Sequence, residues 1–197
     1  MPLKTVEVCW ILKANFKGQV IDLKEYRVTK YDPQNRNSLG HYVVDEWTAV
    51  SDIGREYGGK SFTLSDYIRT ETNYMNAIKN FMKATSTSKL KLVDLELHDP
   101  GFDGAYATTS MKQIYEKIKE GMSVSESEIP DVCGLILREC MWGKLISKKM
   151  FVHFGNDYYM YIGAKGNCKK AIEETEKSGM FVEKFKSPYS TKWYEAF

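Results

Sequence analysis

Apolar and polar positions change period several times along this chain, and each change marks an element. The stretch from Met150 to Tyr189 has the sharpest boundaries. Met150–Phe154 and residues 157–162 are two short apolar-aromatic runs around Gly155-Asn156, and glycine first in a two-residue loop predicts a type II′ hairpin turn. Residues 167–178 read as a helix, with Asn167 as N-cap and Cys168, Ala171, Ile172 and Thr175 on one face. Gly179 supplies a left-handed stop and Met180 is placed to fold back on the last turn. Residues 181–185 form a strand that ends at Ser187-Pro188. The predicted unit is β-β-α-β.

Upstream, residues 5–14 alternate as a half-buried strand, 15–18 turn, and 20–31 read as a second strand. Residues 32–40 are a turn-rich loop, and 41–50, with β-branched and aromatic side chains, predict a third strand. The glycines of residues 52–60 lack phosphate-loop spacing, so that stretch is a loop. Residues 63–85 make the longest helix, opened by a capping box of Thr63 with Asp66. Its core stripe is Tyr67, Tyr74, Met75, Ile78, Phe81 and Met82. Residues 89–98 form a strand whose phase shifts at Val93, the mark of a bulge. A turn-rich loop over 99–104, helices over 111–121 and 130–141, and a stop at Gly143 complete the pass. Both halves read β-β-α-β in outline, although their residues do not align. The class predicted is α+β: a mostly antiparallel sheet with helices packed on it, as one domain over 1–197, with subdomains 1–104 and 105–197 as the alternative division.

Composition adds little to this: 43% hydrophobic and 27% charged residues describe an ordinary folded chain. The charge distribution says more. Residues 92–103 hold four acids and no Lys or Arg, whereas residues 144–197 hold ten lysines against six acids. Cys9, Cys133, Cys140 and Cys168 stand alone inside apolar patterns, without zinc-site spacing. Scattered thiols, no secretory signal and no apolar run near eighteen residues point to the cytoplasm.

Three constellations could carry chemistry. Asp94, Glu96 and His98 alternate on one strand face, with Asp99 and Asp103 just beyond. That face reads as solvated or as an acidic protein-binding patch; a divalent metal held by Asp94, Glu96 and Asp99, as in a nuclease, is the third reading. The lysines of 144–149 and 165–170, interleaved with Phe151, Tyr159 and Tyr161, would suit a nucleic-acid-binding module. His41, His98 and His153 have no spacing that supports acid-base catalysis. No nucleophile elbow, zinc-protease motif or dinucleotide fingerprint is present, so the expectation is no enzyme, no cofactor and no metal.

Phe154-Gly155, the run Asp157-Tyr158-Tyr159-Met160-Tyr161, Gly179-Met180-Phe181-Val182-Glu183 and Ser187-Pro188-Tyr189 carry a resemblance. Over residues 150–189 the chain resembles bacterial immunity proteins of polymorphic-toxin and contact-dependent growth inhibition systems; the first 140 residues add nothing to it. The resemblance implies a cytoplasmic inhibitor that binds one cognate toxin domain, such as a nuclease, in a one-to-one complex. It implies no catalysis, no membrane and no small-molecule substrate. Inhibitors of nucleases are often acidic, whereas this chain carries a net charge of +2, which leaves the toxin's activity open. The expected contact residues are Asp94, Glu96, Asp99 and Asp103, which would steer a basic target, with Phe102 at the loop tip as an aromatic anchor.

Overall fold

The computed structural model describes residues 23–98 and 107–189. The strands predicted over 5–14, the start of 20–31, and the loop with Asp99, Phe102 and Asp103 lie outside those residues. The elements are β1 (Lys24–Thr29), a small pair β2 (Glu56–Tyr57) and β3 (Lys60–Ser61), α1 (Leu64–Ala84), β4 (Lys89–Leu97), α2 (Thr109–Lys117), β5 (Ser123–Ser125), α3 (Ile129–Leu137), β6 (Met141–Ile146), β7 (Met150–Phe154), β8 (Met160–Ala164), α4 (Lys169–Lys177) and β9 (Phe181–Lys184). Seven strands form one sheet in the order β5-β4-β6-β7-β8-β1-β9, with every described ladder antiparallel. The class is α+β, as the pattern predicts. β1 lies between β8 and β9, so strands from the two ends of the chain alternate in the sheet.

Local chemistry explains the longest helix. The Thr63 side chain accepts from the Asp66 amide at 3.2 Å, and the Asp66 carboxylate accepts from the Thr63 amide at 3.2 Å, closing the capping box. The predicted stripe is buried in full. α1 packs on β7 and β8, with α4 and α3 against it and α2 against α3. The sheet supplies Tyr26 and Val28 of β1, Leu90 and Leu92 of β4, Val152 and Phe154 of β7, and Met160 and Ile162 of β8 to that core. Each such side chain contributes on the order of 1.5–3 kcal/mol on burial. No helix of the described residues is long and apolar enough to cross a membrane.

β7 and β8 are buried on both faces. On the face away from the helices, Phe151 packs over Gly163, where an added Cβ would lie 2.1 Å from the ring. Phe151 also stacks on His153 at 4.1 Å between centroids. The 185–189 segment crosses this face: the Ser187 amide donates to Glu25 Oε2 at 2.7 Å, and its hydroxyl lies 2.8 Å from His153 Nδ1. Burial, reinforced by the positive Lys144, pushes the His153 pKa down to about 3.

Four expectations need correction. Residues 41–50 are no strand: Tyr42 makes one isolated bridge to Arg36, and a 3-10 turn follows at Val50–Asp52. Val43 and Val44 are both exposed there, so no alternating face exists to bury. The 130–141 helix stops at Leu137, and Gly143 sits inside β6, where Leu92 covers it. The hairpin turn is not at Gly155-Asn156: Phe154 pairs with Met160, and Asp157 and Tyr158 take positive φ of 53° and 62°, as a type I′ turn requires. The 167–178 helix starts at Lys169 with Cys168 at the cap, while Asn167 accepts from the Lys169 amide at 3.0 Å. β2, β3 and β5 are short additions that the apolar pattern is too brief to reveal.

Candidate functional site

A half-open cleft of about 320 Å³ lies at one end of the sheet. Three chain segments build it: the turn from α3 into β6, the β7–β8 loop, and the end of β4, with Thr48 closing one side. Its floor is aromatic, from Tyr74, Phe154 and Tyr158, with Trp142 on the wall. Its charged groups are Glu139 and Asp157, and His98 is at its edge.

The backbone around it is strained at defined points. α3 ends in a Schellman motif: the Cys140 amide donates to Leu135 at 2.9 Å and the Glu139 amide to Ile136 at 3.0 Å. Glu139 therefore occupies the left-handed position that glycine favours, at φ 60°. Three of the five described non-glycine residues with positive φ, namely Glu139, Asp157 and Tyr158, line this cleft. Such strain persists where surrounding contacts over-determine it.

Those contacts lie beneath the floor. Tyr158 is 6% exposed and its ring meets Trp47, Tyr67 and Tyr74 edge-on. Its hydroxyl lies 2.9 Å from the Leu137 carbonyl and 3.1 Å from the Tyr67 hydroxyl, and its single proton serves one at a time. Tyr67 donates to Glu71 at 3.0 Å, and Arg138 grips the same carboxylate through two bonds of 2.7 and 2.6 Å. The Tyr74 hydroxyl accepts from the Lys30 amide at 2.9 Å and donates to the Tyr158 carbonyl. Burial holds the Tyr67, Tyr74 and Tyr158 pKa values well above the usual range, so all three stay protonated donors.

Donor accounting defines what the cleft offers. Trp142 Nε1 donates to the Phe154 carbonyl at 3.2 Å. His98 Nδ1 lies 3.0 Å from the Glu139 carbonyl, which only accepts, so Nδ1 carries a proton and donates there. The tyrosine hydroxyls of the floor are also committed. The carboxylates of Glu139 and Asp157 have no partner among the described residues. The cleft is thus aromatic and carries two carboxylates, with Thr48, Asn156 and Tyr159 as further polar side chains on its lining.

The expected contact residues fall beside it. Asp94 sits in a β-bulge at φ 54°, and its carboxylate pairs with Lys144 at 2.7 Å. The bulge leaves the Leu95 amide off the ladder, and Glu120 accepts from it at 2.9 Å. Glu96 is exposed opposite Trp142, so the acidic end of β4 runs into the cleft wall. Asp99, Phe102 and Asp103 lie outside the described residues. No group of three or more His, Cys, Asp or Glu among the described residues is placed to hold a metal ion. The nucleic-acid reading loses its stacking residues, because Phe151 is fully buried, Tyr161 is 8% exposed and Tyr159 stacks on Tyr31.

Sequence reasoning missed Glu139 and Asp157. Asn156-Asp157 is a pair that tolerates left-handed backbone, which was a usable signal. Glu139 had none, because its position depends on where α3 stops. Comparison with protein-family models, with characterised proteins and with solved structures gave no match.

Proposed function

We propose that this chain is an immunity protein that binds and neutralises a cognate toxin domain in the cytoplasm, one to one, without a reaction of its own. The reading starts from the resemblance over residues 150–189, which fall on β7, β8, α4 and β9. The observation that carries it is the cleft: the loop of that unit lines a negative, aromatic concavity that adjoins the acidic end of β4. A rigid scaffold with aromatic and charged groups on one rim suits recognition of a basic protein surface. The surface needed is about 1,600 Å² in total for a standard specific complex, so β4 and the cleft rim would form its centre rather than its whole extent.

The test is co-expression with the toxin domain encoded beside its gene. Wild type should restore growth and co-elute with the toxin at one-to-one stoichiometry. A Glu96→Lys, Asp99→Lys, Asp103→Lys variant that stays folded should bind at least tenfold more weakly. If wild type neither protects nor binds, the immunity reading falls; if only the triple variant behaves as wild type, the acidic strand is not the interface.

A further inference from the structure

We infer that the end of the sheet opposite the cleft is a docking surface for the phosphate backbone of a nucleic-acid duplex, recognised by charge and not by sequence. The inference stands apart from the toxin-binding reading, which uses the other end. Topology makes the surface. Lys24 of β1 and Met150 of β7 both pair with Ala164 of β8, so the start of β1, the end of β8 and the β6–β7 turn lie side by side. The Lys165 amide donates to the Lys149 carbonyl at 2.9 Å, which ties the β8–α4 connection to that turn. The Lys149 ammonium donates to the Ser86 carbonyl at 3.4 Å, which brings in the end of α1 with Lys83 in its last turn. Separate segments thereby place Lys24, Lys83, Lys148, Lys149, Lys165 and Lys170 at one end, all of them exposed.

Charge accounting calls for an anion there. None of those lysines forms an ion pair with a described residue. The acids of the same segments are engaged: Glu173 pairs with Lys169 at 3.8 Å, Glu174 with Lys177 at 2.8 Å, and Glu25 accepts from the Ser187 amide. The start of α4 is an independent second feature. No side chain caps it at Cys168, Asn167 takes the Lys169 amide, and the Lys170 and Ala171 amides have no acceptor among the described residues. Such amides, with the positive end of the helix dipole, attract phosphate. The cleft end instead carries Glu96, Glu139 and Asp157, so the molecule is polarised along its strands.

What the surface lacks selects the occupant. Residues 23–25, 83–88, 147–149 and 165–170 hold no aromatic side chain and no arginine. Single strands are bound by stacking bases on exposed aromatics, and Phe151 behind the turn is fully buried. Specific protein partners need aromatic or arginine anchors. A membrane surface site inserts apolar side chains, and Leu39, Val43, Leu64, Leu97 and the other exposed large hydrophobics lie on other segments. Lysine is a compact charge on a flexible stem, which suits contacts to the phosphates of a duplex, spaced at about one negative charge per 1.7 Å of axis.

The test is fluorescence anisotropy of a short labelled DNA duplex titrated with the full chain between about 50 and 200 mM salt. Wild type should bind with a dissociation constant of about 10⁻⁴ to 10⁻⁶ M, and log affinity should fall against log salt with a slope of about −3 to −5. A Lys148→Gln, Lys165→Gln, Lys170→Gln variant should bind at least tenfold more weakly at the lower salt and flatten the slope by about 2.7. A Lys60→Gln, Lys117→Gln, Lys119→Gln variant, with the same loss of charge on other segments, should bind as wild type does. Unchanged circular dichroism shows that both variants stay folded. Absence of salt-dependent duplex binding by wild type overturns the inference, and equal weakening in the two variants overturns the surface assigned to it. Tighter binding of the single strand, or of vesicles of phosphatidylcholine and phosphatidylserine, overturns the duplex as occupant.

Discussion

Single residues in this protein are held where their intrinsic preferences would not put them. Glu139 stands at a helix C′ position and Tyr158 in the second half of a type I′ turn, both left-handed. The left-handed backbone costs roughly 1–2 kcal/mol for an L-residue, whereas glycine loses roughly 0.5–1 kcal/mol of that advantage to its greater unfolded-state entropy. Glu139→Gly should therefore raise stability by about 0.5–1 kcal/mol in urea unfolding, because only the backbone of Glu139 serves the Schellman motif. A destabilised Glu139→Gly would mean that its side chain contributes to the fold.

His153 makes a second residue-scale prediction. It is fully buried with its pKa lowered to about 3, against 6.5 for an exposed imidazole. The folded state then binds fewer protons than the unfolded state below pH 6.5. Stability is complete above pH 6.5 and is lost as pH falls toward 3. Between pH 6.5 and 5, above most carboxylate titrations, unfolding free energy should fall by up to about 1.4 kcal/mol per pH unit. A His153→Asn variant should show a flatter slope in that window, and an equal slope would assign the proton elsewhere.

At the scale of elements, caps and bulges carry the arrangement. Thr63 and Asp66 start α1, and α1 ends with Ser86 left-handed and the Thr87 amide on the Met82 carbonyl at 2.8 Å. The bulge at Asp94 lets β4 keep Leu90, Leu92 and Leu95 toward the helices despite the phase change. β1 matters more than its six residues suggest. It pairs with β8 on one side and β9 on the other, and Arg27 grips Glu183 through bonds of 3.0 and 2.9 Å. The unit β7-β8-α4-β9 therefore contains its own turns and caps but not the strand that joins β8 to β9. A fragment of residues 141–189 should show no dispersed amide spectrum, because β9 has no partner without β1 and an unsupported hairpin is marginal in water. A folded fragment would show that the unit is autonomous.

At the scale of the whole molecule, the chain's local chemistry determined the elements that signal themselves within a few residues. The capping box of α1, the left-handed Gly179, the strand Met150–Phe154 and the shifted phase at Val93 were all legible, as was the α+β class. Each depends on backbone preference, capping or periodicity, which act over at most one or two turns. Other features required tertiary contacts. The hairpin turn moved from Gly155-Asn156 to Asp157-Tyr158 because the Tyr158 ring and hydroxyl find their partners only in that register. β6 became a central strand because β4 and β7 both present ladders to it, although its Gly143 reads as a helix stop. The segment over 41–50 lost its strand because Trp47 stacks on Phe62 at 4.4 Å instead of alternating with its neighbours. The cleft was the least legible feature. Glu139, Asp157 and His98 come from three separate segments, and only the fold brings them to one cleft, where the Trp142 indole and the His98 Nδ1 proton are committed to backbone carbonyls. A sequence shows which groups a chain owns; only the folded chain decides which of them are left over, because hydrogen-bond partners are set by distance in space rather than by separation along the backbone.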